Sequence, residues 1–360
     1  MSGVGAINGT ACPVRSFLRT VDAMTITARV VHQVARPDGF PTPDHFAFLE
    51  EVVPAPGPGQ ALVENLFFSV DPYMRELMDE AGLTSGGSWQ LHSPLEGRTI
   101  GRVLASADAS LAAGDFVFHR QGWRTHALVR ASEVRLLPRY EGVPLTAHLS
   151  LLGGTGLTAY VALTRTARLQ PGEDLFISAA AGGVGTAAGQ IARLLGAGRI
   201  VGSAGSPAKV DRLVTDLGFD VAFDYHDGPV PQLLAAAAPD GLDVALENVG
   251  GDHLEAAIGS LREFGRIAWV GAIAQYHSLQ SPPPAPRNLY DVVGKSLRLE
   301  GVLVRNHRDV QGELEDFLVP HIRAGRIRPA ETVIDGFDNI VAAFLAMLRG
   351  ENVGKMLVRA

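Results

Sequence analysis

A single cysteine, Cys12, stands among the 360 residues. One thiol can form neither an internal disulfide nor a multi-cysteine zinc site, which excludes cross-linked secreted scaffolds and structural zinc modules. A cytoplasmic setting is expected. Charge is also sparse, at 19% of residues, and 31 Lys and Arg against 38 Asp and Glu leave a net −7. No positive field gathers nucleic acid or anionic lipid, and no basic stretch is present, so neither is an expected partner. No uninterrupted apolar run of about 18 residues occurs, so no spanning helix is expected. The 11 histidines are scattered, and no pair at i, i+4 spacing has a third partner nearby, so no metal site is expected. Apolar residues are plentiful instead, at 46%, enough for one large core or two smaller ones.

Residues 1–23 carry Arg15 and Arg19 and no acid before Asp22. They are expected to form a flexible extension before a fold that starts near Met24, with a transit sequence the weaker alternative. Between 25 and 138, short β-like runs at 25–31, 60–70, 116–118 and 126–129 are separated by proline and glycine, which predicts a compact, mostly β unit. Near Leu145 the pattern changes. Ala-rich helical stretches then alternate with apolar runs at 175–178, 199–203, 221–223, 244–246, 267–270 and 297–304, as in a parallel sheet covered by helices. Helices are expected over 185–195 and 209–217, where Ile191, Leu194 and Leu195, and Leu213 with Leu217, form core stripes. The tail predicts a helix at 340–348 and a last strand at 356–358 that returns to the first unit. Pro282, Pro283, Pro284 and Pro286 force an extended segment over 281–286, either a lid or a stiff connector.

The sharpest local signal is residues 175–190, LFISAAAGGVGTAAGQ, a buried strand, a glycine turn and a helix in succession. Ala180, Gly182 and Gly185 occupy the three glycine positions of the dinucleotide fingerprint, with Gly183 and Val184 between the last two. A side chain at Gly182 would hold the backbone off a pyrophosphate, and one at Gly185 would push the helix off the sheet. The helix start offers free N–H groups to the anion. Binders of the non-phosphorylated coenzyme place Asp or Glu about 20 residues beyond the glycines, on the ribose. Here VGSAGS (201–206) has no acid, and Ser206 and Lys209 supply a hydroxyl and an ammonium instead. NADPH is the expected cofactor. The plainer reading of Lys209 is a solvated first-turn lysine.

These blocks, together with GFDVAFDY (218–225), ENVGG (247–251), GAIAQY (271–276), GENVGK (350–355) and SVDPYMR (69–75), resemble the zinc-independent medium-chain dehydrogenase/reductases. The resemblance runs from about Met24 to the C-terminus. It is to the branch of prostaglandin/leukotriene reductases, plant alkenal double-bond reductases and bacterial curcumin reductase-like enzymes. It implies an α/β protein with a GroES-like, mostly β catalytic domain (24–144, completed by 325–360) and a Rossmann domain with a doubly wound parallel sheet (145–324). The active site would lie in the cleft between them. Residue by residue, Lys209 and Tyr225 match positions holding the adenosine 2′-phosphate. Asn248 and Asn352 match amides near the phosphate and nicotinamide parts, and Gly271 and Tyr276 match the segment passing the nicotinamide. As bare sequence, both asparagines read as turn residues.

The chain lacks the cysteine and histidine ligands that related alcohol dehydrogenases use for zinc, including around LEGRTIG (95–101). The expected reaction is NADPH-dependent reduction of the C=C bond of an α,β-unsaturated aldehyde or ketone. Hydride goes to the β-carbon and the enolate is then protonated by a tyrosine or by water. Tyr73, Tyr276 and Tyr290 are the catalytic candidates, with Tyr73 the first choice for a donor to substrate. Eukaryotic members carry a further tyrosine where this chain has Gly294, and Tyr290 lies one turn earlier. Buried core aromatics are the plainer reading of Tyr73 and Tyr290. A quinone reductase of the same superfamily and a non-catalytic NADPH-binding protein remain rival readings. The resemblance implies a homodimer formed through an edge strand, with 297–304 the expected edge.

Overall fold

The computed structural model describes residues 25–80, 87–276 and 283–360. The N-terminal extension expected over 1–23 and the start of the proline segment, 281–282, lie outside the described residues. In the first part of the chain are β1 (Ile26–Gln33), β2 (Phe46–Val53), β3 (Gln60–Ser69), α1 (Met74–Leu77), β4 (Thr99–Ser106), β5 (Phe116–His119), β6 (His126–Arg130) and β7 (Arg135–Leu136). A short helix, α2 (Gly154–Val161), leads into the alternating half. That half contains β8 (Leu175–Ile177), α3 (Gly183–Leu194), β9 (Ile200–Ala204), α4 (Pro207–Asp216), β10 (Val221–Asp224), α5 (Val230–Ala237) and β11 (Leu242–Glu247). It continues with α6 (Gly251–Ser260), β12 (Leu261–Trp269), α7 (Tyr290–Gly294), β13 (Arg298–Gly301) and α8 (Gln311–Arg323). The chain closes with β14 (Glu331–Asp335), α9 (Ile340–Leu348) and β15 (Lys355–Arg359).

Six strands form a parallel sheet in the order β10-β9-β8-β11-β12-β13. The order reverses direction between β8 and β11, which opens a crevice beyond their carboxyl ends. All residues of β8 and β9 are buried, as strands covered on both faces must be. On the covering layer, α3 buries Ala187, Ala188, Ile191 and Ala192. Each apolar side chain of Ile size contributes about 1.5–3 kcal/mol when it leaves water.

A second, seven-stranded sheet takes six of its strands in the order β14-β15-β3-β4-β5-β7, with β6 also paired to β3. The last strand, β15, runs antiparallel to β3, with Leu357 opposite Ser69 and Arg359 opposite Phe67. β1 and β2 form a separate antiparallel pair. Among the described residues no helix is long and apolar enough to cross a membrane.

Candidate active site

The glycine turn lies where β8 meets α3, at the crevice. Its geometry explains each small residue. Ala180 tolerates its methyl because Gly202 faces it: a Cβ built on Gly202 would lie 2.9 Å from the Ala180 Cβ. Ala180 N–H donates to the Ser203 carbonyl at 2.8 Å, pinning the turn to β9. A Cβ on Gly185 would lie 2.5 Å from the Ala180 carbonyl oxygen, so only glycine lets α3 start this close to the sheet. At Gly182 the nearest atom to a built Cβ is the Ala179 oxygen at 3.2 Å, leaving that face for a ligand. No side chain caps α3, so the first-turn N–H groups of Gly183, Val184 and Gly185 are presented to an anion.

The next turn, after β9, builds the other end of the cradle. Ser206 caps α4 by accepting from the Lys209 N–H. The half-buried Lys209 ammonium donates to the Gly350 carbonyl, and burial lowers its pKa. Tyr225 follows β10, its N–H bonded to the Ala204 carbonyl at 3.0 Å. Its hydroxyl lies 2.8 Å from where a Cβ on Gly205 would stand, next to Ser206. The structure thus brings Ser206, Lys209 and Tyr225 to one place. Asn352, two residues past Gly350, spends an amide hydrogen on the Gly354 carbonyl at 2.7 Å. Asn248 donates its side-chain amide to the Ser178 carbonyl and its backbone N–H to Ser178 Oγ, both at 2.7 Å. Both asparagines are therefore tied locally. Asn248 locks the ends of β8 and β11 together at the crevice.

Beside Asn248 the chain passes through Gly271, where a built Cβ would lie 3.3 Å from both the Asn248 carbonyl and the Tyr276 hydroxyl. Burial, and then the nearby Glu76 carboxylate, push the Tyr276 phenol up to about 12. Glu76 belongs to α1, so the end of the SVDPYMR block, which follows β3 of the seven-stranded sheet, faces the Gly271 to Tyr276 segment across the cleft. Tyr73 begins that helix. Its hydroxyl is buried and makes no hydrogen bond of normal geometry to a described residue. Burial raises the phenol's pKa, and the Arg98 guanidinium, 5.3 Å from the ring centroid, opposes the rise.

Tyr290 does not join this group. It is 80% exposed on α7, whose packing against the core is through Val292, so it stands outside the cleft. A Cβ on Gly294 would meet nothing within 4 Å. Of the proline segment, the described part, residues 283–286, is in neither helix nor strand, and Pro283 lies 3.4 Å from a Cβ built on Gly251.

Sequence reasoning missed a buried ionic cluster. Asp71 Oδ1 is 3.1 Å from Lys355 Nζ and 3.6 Å from Arg98 Nη1, while its Oδ2 accepts from Ser69 Oγ at 2.6 Å. Burial alone raises the Asp71 pKa, but Lys355 and Arg98 outweigh it and hold the carboxyl at about 2. Lys355 is 3% exposed and also donates to the Val70 carbonyl. Its Cα lies 3.5 Å from a Cβ built on Gly183, and Gly354 N–H donates to the Ala181 carbonyl at 2.8 Å. The cluster therefore adjoins the dinucleotide turn. The sequence signal was a lysine opening the apolar run 356–358 and an aspartate just after the apolar end of β3, each of which demands a partner if buried. Glu247, also missed, is wholly buried at the end of β11, accepting from Val249 and Gly250 N–H at 2.6 and 2.8 Å.

A doubly wound sheet with a glycine turn at its reversal point, facing a mostly β sheet that recovers the end of the chain, defines a medium-chain dehydrogenase/reductase. Residues 29–137 match the family described as N-terminal domain of oxidoreductase, and residues 183–319 that described as zinc-binding dehydrogenase. Among the described residues no group of three or more His, Cys, Asp or Glu is placed to hold a metal. Prostaglandin reductase 1 of Rattus norvegicus is 38% identical over 90% of this chain and 96% of its own length. The 2-alkenal reductase (NADP(+)-dependent) of Nicotiana tabacum is 35% identical over 84% and 88%. The crystal structure of CurA from Vibrio vulnificus in complex with NADPH has a TM-score of 0.85 at 29% identity, covering 92% of this chain and 99% of that one. The chain is an oxidoreductase and belongs to the alkenal and enone double-bond reductase branch of the medium-chain dehydrogenase/reductases.

Proposed function

We propose that this enzyme uses NADPH to reduce the C=C bond of α,β-unsaturated aldehydes and ketones, without zinc. The observation that carries the reading is the convergence of Ser206, Lys209 and Tyr225 at the end of a glycine cradle that has no acid after β9. That set offers an ammonium and two hydroxyls to a 2′-phosphate, while the neighbouring Asp224 carboxylate is engaged by His226. Relatives named for NADP and for alkenal or prostaglandin reduction support the same coenzyme and acceptor class.

In this reading the α3 N–H groups at Gly183, Val184 and Gly185 receive the pyrophosphate, and Gly271 leaves room for the nicotinamide beside Tyr276. Asn248 and Asn352 act by holding the walls of the cradle. NADPH, when bound, supplies the hydride. Tyr73 offers its buried hydroxyl to the substrate, and closure of the two halves excludes water from the reacting carbons. A dication is disfavoured where Arg98 and Lys355 leave one carboxylate, Asp71, outnumbered. The mostly β unit over 24–144 with 325–360, and the nucleotide unit over 145–324, serve as the two walls. Two copies are proposed to pair through the edge strand β13.

Coenzyme consumption measured with trans-2-alkenals, enones such as curcumin, and benzoquinone, each with NADPH and NADH, tests this directly. Turnover of alkenals or enones with NADPH in clear preference to NADH is expected. Turnover of benzoquinone alone would make the enzyme a quinone reductase, and tight NADPH binding with no acceptor used would leave a non-catalytic binding protein. Equal affinity for both coenzymes would overturn the phosphate cradle.

A further inference from the structure

Arg98 is held rigidly at its backbone and left open at its tip. Its carbonyl accepts from Ser69 N–H at 2.9 Å, and the preceding Gly97 N–H donates to the Arg120 carbonyl at 2.9 Å. The side chain then crosses the Tyr73 ring and ends against Gly154, where a built Cβ would lie 2.7 Å from Arg98 Nη1. Only glycine leaves this berth. Asp71, its ion-pair partner among the described residues, is 3.6 Å away, beyond hydrogen-bond reach, and is already engaged by Lys355 and Ser69. The guanidinium therefore donates no hydrogen bond to any described residue, yet its side chain is 22% exposed. Guanidinium groups in protein interiors are ordinarily bonded on several of their five N–H groups.

Three further features share this berth. Gly154 is the first residue of α2, an eight-residue helix with no capping side chain, whose positive end meets a cation. The buried Tyr73 hydroxyl also makes no hydrogen bond of normal geometry to a described residue, with the Arg120 guanidinium a further cation beside it. Thr155, the next residue of α2, has its Cγ2 3.1 Å from a Cβ built on Gly183, so the berth opens beside the dinucleotide turn. Two cations, a helix start and a buried phenol thus converge on a single carboxylate, Asp71, which Lys355 and Ser69 already engage. An oxyanion completes the set.

We propose that Arg98, together with the Tyr73 hydroxyl, is the catalytic oxyanion site: it receives the carbonyl oxygen of the α,β-unsaturated substrate and stabilises the enolate. This rests on the enone-reductase reading above. As the β-carbon gains hydride, the C=C pair moves to the bond between the α-carbon and the carbonyl carbon, and the carbonyl pair moves onto oxygen. The resulting negative charge lies against the Arg98 N–H groups. A proton from water then joins the α-carbon, the carbonyl re-forms, and the oxygen leaves neutral. Asp71 and Lys355 are positioning residues that keep the guanidinium oriented while cancelling only part of the local positive charge.

Arg98→Gln, Arg98→Lys and Gly154→Ala, compared with wild type, test the site by two readouts. Turnover of an enone should fall about 100- to 1,000-fold in Arg98→Gln, the loss typical of one oxyanion donor, with a partial return in Arg98→Lys. The second readout is the ionisation of para-nitrophenol, a planar enolate mimic, bound to the NADP+-loaded protein and followed by the phenolate absorbance. Wild type should lower the phenol's apparent pKa. Arg98→Gln should abolish that shift, and Gly154→Ala, which displaces the guanidinium tip, should weaken it, all three variants keeping wild-type NADPH affinity. Retained turnover in Arg98→Gln, or a wild-type protein that shifts no phenol, overturns the proposal. If wild type reduces no enone yet shows an Arg98-dependent phenolate, the anion site stands and the reading of the reaction falls.

Discussion

The carboxyl of Glu247 is wholly buried, with the Val249 and Gly250 N–H groups on one oxygen and Ser178 beside it. Burial therefore raises its pKa from 4.5 to about 7, against the pull of those N–H groups and of Ser178. The folded state holds the proton more tightly than the unfolded chain, so this contribution to stability is complete below about pH 4.5 and lost as pH rises through 7. Glu247→Gln keeps the acceptor for Val249 and Gly250 but cannot ionise. Its stability relative to wild type should grow by roughly 3 kcal/mol between pH 4.5 and 8. Thermal melts of both proteins at the two pH values check this, and a gap that does not widen refutes it. The buried His119 and His253, held by burial at about 3 and 4, act with the opposite sign in both proteins and cancel in the comparison. Lys209→Ala should weaken NADPH binding about 10- to 100-fold, the size of one charge-assisted hydrogen bond, and leave NADH nearly unchanged in a fluorescence titration. Lys209 was legible in the sequence because the missing acid and the new cation lie within a few residues of one turn. Arg98, Asp71 and Lys355 were not, since the residue before β4, the second residue past β3 and the first of β15 meet only through sheet pairing and no local spacing marks it.

Among the elements, the glycine turn and its helix were readable because strand, turn and helix follow one another without a break. The helix begins at Gly183, two residues before the expected start, since Gly182 serves as its cap. β2 and β4 escaped detection: β2 carries Glu50 and Glu51 on a strand paired only with β1, and β4 is interrupted by Gly101 and Arg102. The run expected over 297–304 forms a strand only over Arg298–Gly301, because the chain turns into a 3-10 helix at Val304. All four residues of β13 are exposed and, among the described residues, it pairs on one side only, with β12. An unpaired, exposed edge of this kind recruits another strand. Leu299→Glu places like charges face to face in the proposed dimer and should shift the sedimentation equilibrium towards monomer; a wild-type monomer would refute the pairing. At the start of β15 the decisive residue is Gly354, with φ +71° and a built Cβ only 2.0 Å from the Ala330 carbonyl oxygen. Gly354→Ala should release the strand from the Ala181 carbonyl, lowering the melting temperature and NADPH affinity together. A variant that loses stability without losing affinity would uncouple them.

Across the whole molecule, the two sheets are joined on more than one side of the cleft. Gly354 bonds the glycine turn and Lys209 bonds Gly350. On the far side, Arg135 and Tyr140 both reach Glu315 of α8, at 2.8 and 3.0 Å, while Gln190 of α3 exchanges two hydrogen bonds with the backbone of Arg328. Because the coenzyme cradle shares residues with these ties, occupancy should stabilise both halves and not the nucleotide-binding half alone. Calorimetry is expected to show a single transition. At a hundredfold excess of NADPH over its dissociation constant the stabilisation is about 2.7 kcal/mol, which for a chain of 360 residues corresponds to a rise in Tm of about 4 °C. NADH at the same concentration should give a smaller rise, and in Lys209→Ala the NADPH shift should shrink to that of NADH. Two separate transitions, with only one moved by NADPH, would mean that the ties across the cleft carry no energetic coupling, and closure would then have to come from the substrate.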